Sequence, residues 1–129
     1  MSRLIAALGA LSALMGAGGV TLAAAAAHAD GGEMARTAAY FLMLHGAALL
    51  GLTACARAFA ADIGFARALL LVGSGLGLGA IIFSADLAYR AFAGGRLFPM
   101  AAPTGGSLMI LGWLALAALF AFAAPRRPG

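Results

Sequence analysis

Of 129 residues, 64% are apolar and only 9% charged, against about 25% charged in an ordinary soluble domain, which excludes a soluble enzyme. The net charge of +4 rests on eight basic residues, all arginines scattered near the ends of apolar runs, a pattern of membrane topology and not of a nucleic-acid surface. The single cysteine, Cys55, excludes an intramolecular disulfide and a cysteine-based metal framework.

The first predicted element is a charge-free apolar helix over residues 4–27. Arg3 ahead of it and the small residues around His28 imitate a secretory signal, but a signal's apolar region is about 7 to 15 residues and this run is longer. A polar connection with Asp30, Gly31, Gly32, Glu33 and Arg36 leads to a second helix over residues 37–56. Arg57, Asp62, Gly64 and Arg67 mark the next turn, and a third helix follows over residues 68–89. Arg90, the Gly94-Gly95 pair, Arg96, Pro99 and Pro103 form the longest connection, before a fourth helix over residues 104–124 that stops at Pro125. A spanning helix needs about 20 apolar residues, so four of them absorb residues 1–129 as one all-α, four-helix transmembrane domain in an up-down bundle.

Four spans put Arg3, Arg57, Arg67, Arg126 and Arg127 on one side and Arg36, Arg90 and Arg96 on the other. The excess of arginine predicts cytoplasmic termini in a bacterial-type inner membrane.

Helix packing in lipid relies on close backbone approach, not hydrophobic expulsion. The third helix carries Gly73, Gly75, Gly77 and Gly79 at alternate positions, two overlapping small-xxx-small pairs. The spacing is GxGxGxG without a lysine or a preceding strand, which speaks for packing and against a nucleotide loop. The glycines at 16, 18 and 19 smooth the first helix in the same way.

Ionisable groups inside a membrane are expensive and mark candidate sites. The candidates are His28 at the end of the first helix, His45 in the second and Asp86 near the end of the third, all in the outer half on this topology. His45 falls roughly 12 Å below the predicted start of its helix, at the depth of Trp113 in the fourth. The indole N–H of a deep tryptophan needs an acceptor, for which His45 is a candidate. Asp86 precedes Arg90 by one helical turn, the spacing of an ion pair, with Ser84 nearby. The inner half offers only Thr53, Cys55 and Ser74, too few for a proton relay. His28 and His45 differ too much in depth to clamp one haem, and no cofactor is expected. A copper(I) site from His28 or His45 with Met34, Met43 or Met100 is chemically conceivable, but methionine in an apolar helix is ordinarily filler and no MxxM or HxxM cluster is present. No nucleophile triad, HExxH or paired-carboxylate arrangement exists either.

Several of these positions belong to a recognisable pattern. Phe83-Ser84-Ala85-Asp86-Leu87, Pro103-Thr104-Gly105-Gly106 and Leu111-Gly112-Trp113-Leu114, together with Ala27-His28 and His45-Gly46-Ala47-Ala48-Leu49-Leu50, resemble the YgdD/YwdK-like family (DUF423) of small bacterial inner-membrane proteins. Alanines 23–26 stand where that family carries glycines. The resemblance implies a four-helix membrane fold and singles out His28, His45, Ser84, Asp86, a turn formed by Pro103, Gly105 and Gly106, and Trp113, but it implies no activity. The expected role is that of a non-catalytic structural or accessory subunit, packing against other membrane subunits or a second copy within the lipid bilayer. The competing expectation is a small transporter, channel or copper-handling protein built on the outer His, Asp and Met residues.

Overall fold

The computed structural model describes residues 1–28 and 32–123. Asp30, Gly31, Ala124, Pro125, Arg126 and Arg127, which enter the topology argument above, lie outside the described residues. Four helices follow one another: α1 (Ser2–His28), α2 (Gly32–Ala58), α3 (Ile63–Ala93) and α4 (Ala101–Ala118), the last running on into a π-helical turn at Leu119–Ala123. All four are long and apolar enough to cross a membrane. The protein is an all-α, multi-pass membrane protein with its helices in up-down order.

Each helix starts or stops for a local reason. The Asp62 side chain accepts the Phe65 N–H at 2.9 Å, an N-cap that satisfies one of the orphan donors of the first turn. That cap starts α3 at Ile63 instead of 68 and draws Arg67 into the helix. Similarly, α2 begins at Gly32 instead of 37 with Glu33 in its first turn, where a carboxylate complements the positive end of the helix dipole. At the far end of α3, Gly94 takes the left-handed conformation (φ 72°) and its N–H bonds the Arg90 carbonyl, a cap geometry that glycine adopts without a Cβ clash.

The Pro103 to Gly106 segment is a correction to the sequence reading. It is not a turn but the opening of α4, which begins at Ala101 after Met100. A proline is accommodated in the first helical turn, where its missing N–H would have no intrahelical acceptor anyway.

The packing is a zigzag of helices, with the ring of a closed bundle left open. Neighbours in sequence pack along their length, α1 touches α3 lightly, and no Cα of α4 comes within 8 Å of one in α1 or α2. Three stripes of α3 explain the arrangement, because residues three and four apart share a helix face. Gly73 and Gly77 meet Leu49 of α2, while Leu76 and Gly79 meet Gly112 and Gly105 of α4. Ile81, Ala85 and Ala88 line a cleft against Leu11, Leu14 and Leu22 of α1. The flanking helices α1 and α4 therefore sit on opposite sides of the α2–α3 pair.

Small residues make these approaches possible. Leu49 is fully buried and acts as a knob in the notch of α3, where a Cβ on Gly73 or Gly77 would sit 3.2 or 3.1 Å from its methyl carbons. The closest crossing joins Gly79 and Gly105: a Cβ on Gly79 would lie 2.8 Å from the Gly105 carbonyl oxygen, and one on Gly105 would lie 2.6 Å from that of Gly79. Gly75 departs from the expected packing stripe, since a Cβ there would meet nothing within 4 Å. Two residues from its neighbours on a 3.6-residue helix, it turns away from both α2 and α4.

Candidate functional site

The two buried ionisable side chains, His45 and Asp86, each organise a cluster, the first near the middle of the molecule and the second toward the end away from Met1. In the first, His45 is 2% exposed and both ring nitrogens are engaged. Nδ1 lies 2.9 Å from the Phe41 carbonyl oxygen one turn back, and Nε2 lies 3.2 Å from the Trp113 indole nitrogen. The indole can only donate and the carbonyl can only accept, so both bonds require a neutral imidazole with its proton on Nδ1. With α2 starting at Gly32, His45 sits about 20 Å along its helix, and Trp113 about 18 Å along α4. Their depths match, and both are greater than the predicted helix starts suggested.

Aromatic rings extend this cluster across three helices. Phe41 stacks on His45 at 5.8 Å, and Phe83 of α3 tilts against Phe41 at 4.8 Å. Trp113 meets His45 edge-on at 6.0 Å. The tryptophan is 46% exposed, turning an apolar edge outward while its N–H points in. Phe41 and Phe83 were not among the site residues expected from their chemistry. The i−4 spacing of Phe41 from His45 was the available signal, but it could not reveal that the ring faces α3.

Asp86 organises the second cluster. It is fully buried within the protein, while its partner Arg90 is 28% exposed. Its Oδ2 accepts from Nη2 of Arg90 and its Oδ1 accepts the Leu97 backbone N–H at 2.7 Å. The carboxylate thus ties the end of α3 to the connection that leads into α4. Leu97 carries no sequence signal, because a backbone donor is common to almost every residue.

The remaining candidates stand apart. His28 is exposed at the end of α1 and does not join His45. Met43 packs on Gly19, where a Cβ would fall 2.3 Å from its Cγ, while Met34 and Met100 are exposed. Among the described residues, no three histidine, cysteine, aspartate or glutamate side chains come together as a metal-ligand set. Ser84 is buried, and its hydroxyl has no hydrogen-bond partner among the described residues. The other buried hydroxyls behave differently, Ser12 bonding the Gly9 carbonyl and Thr53 the Leu50 carbonyl within their own helices. Gly106 is half-buried beside Phe83.

A family model described as "Protein of unknown function (DUF423)" matches residues 15–106. The chain belongs to the DUF423 family. The match spans α2, α3, the second half of α1 and the opening of α4, so it contains His45, Asp86, Arg90 and the Gly79–Gly105 crossing, whereas Trp113 lies beyond it. No solved structure matches this DUF423 chain. Family membership therefore agrees with the four-helix architecture and leaves the activity to be argued from the site.

Proposed function

We propose that this DUF423 protein is a non-catalytic structural or accessory membrane subunit that works by lateral association with other membrane subunits or a second copy of itself. The observation that carries this reading is the closed hydrogen bonding of its two buried ionisable groups. Both nitrogens of His45 and both oxygens of Asp86 are occupied by partners within the same chain. A transported ion or a copper ion would have to displace those bonds, and an unsatisfied polar group in hydrocarbon costs several kcal/mol. Groups arranged this way orient helices and leave the apolar outer faces for association.

The reading includes placement in a bacterial inner membrane with both termini in the cytoplasm, from the five-to-three distribution of arginines. A reporter active only in the periplasm and fused after Gly129 should stay silent. Extraction into native lipid particles tests the association: a stoichiometric companion subunit or a mass of more than one chain is the expected result, with no copper or iron in proportion to protein. A lone chain, or stoichiometric metal that disappears in His45→Ala, would overturn the accessory reading.

A further inference from the structure

We propose that the cleft between the end of α3 and the start of α4 binds the phosphate of an anionic phospholipid, in the leaflet opposite the termini. Phe83, Arg90, Arg96, Met100, Ala102 and Pro103 line this cleft, which holds about 380 Å³. It joins two guanidinium groups to an apolar wall, the combination that a phosphate on a glycerol backbone requires. The inference does not depend on the accessory role.

Depth places the cleft at the headgroups. The 31 residues of α3 make a helix about 46 Å long, while the hydrocarbon layer is about 30 Å thick. Roughly five residues therefore emerge at each end, which brings Arg90 to headgroup level and Arg96 beyond it.

Charge and unmet hydrogen bonding give the cleft its chemistry. Arg90 is fixed by Asp86 through Nη2, yet its Nε–H is buried without an acceptor among the described residues. Arg96 is exposed and makes no ion pair among the described residues. With Asp86 counted, the site retains one net positive charge from Arg90 and Arg96. A planar guanidinium held in place by a carboxylate is already oriented for a phosphate oxygen. Asp86 does not compete for that cation site as a free acceptor, since its other oxygen is turned to the Leu97 N–H.

The test uses the full chain in nanodiscs made from an equimolar mixture of phosphatidylcholine and phosphatidylglycerol, counting retained lipids by native mass spectrometry. Phosphatidylglycerol should be enriched on the protein. Arg96→Gln should lower that enrichment by about fivefold, the equivalent of one arginine near an anionic surface, and Arg96→Lys should retain most of it. Arg96 is exposed, so the variant keeps the fold, and circular dichroism verifies this. In parallel, inorganic phosphate is titrated onto the protein in nonionic maltoside micelles. A rise in thermal stability that is lost in Arg96→Gln would assign free phosphate as the ligand of the same site. Absence of both effects would overturn the proposal. So would an equal loss of enrichment in Arg36→Gln, which removes a charge at the same end of the molecule but outside the cleft.

Discussion

The two ends of the helix assembly are held together in different ways. Near the termini, Leu52, Ala56, Phe65, Ala66, Leu69, Leu70 and Leu116 form an apolar core, closed by Phe65 between the edges of Phe59 and Phe120. Hydroxyls in that half bond only within their own helix, Thr53 to Leu50 and Ser74 to Leu70. From the middle of the molecule to the other end, side-chain bonds cross between elements. Trp113 reaches from α4 to His45 in α2, and Asp86 reaches from α3 to Leu97 in the following connection. Dispersion against leucine resembles dispersion against lipid tails, so the first end supplies contact without much choice of partner. The second end supplies direction, and it fixes where α4 lies although α4 makes no close backbone approach to α2.

That contrast predicts its largest effect at Asp86. Asp86→Ala removes the acceptor of the Leu97 N–H and leaves Arg90, 28% exposed, without its partner, a change of about 3 kcal/mol, the low end for a buried pair. Denaturation in mixed micelles followed by circular dichroism should register it, and Asp86→Asn should lose less because an amide oxygen still accepts from Leu97. An unchanged midpoint for Asp86→Ala would remove the polar end from its organising role.

Next in size is the glycine crossing. A Cβ at Gly105 would lie 2.6 Å from the Gly79 carbonyl oxygen and 2.7 Å from the Phe83 nitrogen. Backbone atoms cannot step aside as a flexible side chain can, so Gly105→Ala should force α3 and α4 apart at about 1–3 kcal/mol, the range of overpacking. Gly75→Ala meets open space and should leave the midpoint unchanged or slightly raised. Helix propensity favours alanine at both positions, so equal losses would mean that Gly75 is as crowded as Gly105 and that the crossing is not special.

The apolar end should be more forgiving of shape. Leu70 is fully buried, yet Leu70→Met conserves volume and should cost less than about 1.5 kcal/mol, with the His45–Trp113 contact intact. The single tryptophan of the chain makes its fluorescence a reading of the surroundings of Trp113, which include that contact. A shifted emission maximum in Leu70→Met would show that the two ends are coupled instead of separable.

Much of this architecture was legible in the sequence because a membrane helix announces itself by the length of its apolar run. The i, i+4 spacing of Asp86 and Arg90 likewise needed only helix geometry. Helix starts were less legible: arginine and acidic residues mark loops by composition, but Asp62 and Glu33 act as helix openers and pull their neighbours inside. Pro103 and the glycines after it read as a turn for the same reason, although the lack of a side chain at Gly105 serves a helix crossing. Gly75 shows the limit of pattern alone, since four alternate glycines cannot all face one partner on a 3.6-residue helix. Nothing local could reveal Leu97 as the partner of Asp86, or Phe83 as the ring on Phe41, because the first contact is created by the way the chain turns from α3 toward α4 and the second by the way α2 and α3 meet.

The smallest predicted effect isolates the long-range bond itself. Trp113→Phe keeps an aromatic ring against His45 but deletes the indole N–H, leaving Nε2 of a buried imidazole without its donor. Interhelical hydrogen bonds in membranes are worth about 0.6 kcal/mol on average and at most about 1.7, so the stability loss should be slight. Its meaning lies in the coupling. His45→Phe removes the acceptor, and in the Trp113→Phe background it should cost less than it does alone, since the bond can be broken only once. Circular dichroism reads all three proteins where fluorescence cannot. Strictly additive losses would show that Trp113 and His45 contribute separately through packing, and α4 would then be positioned by the Gly79–Gly105 crossing and the Asp86 anchor alone.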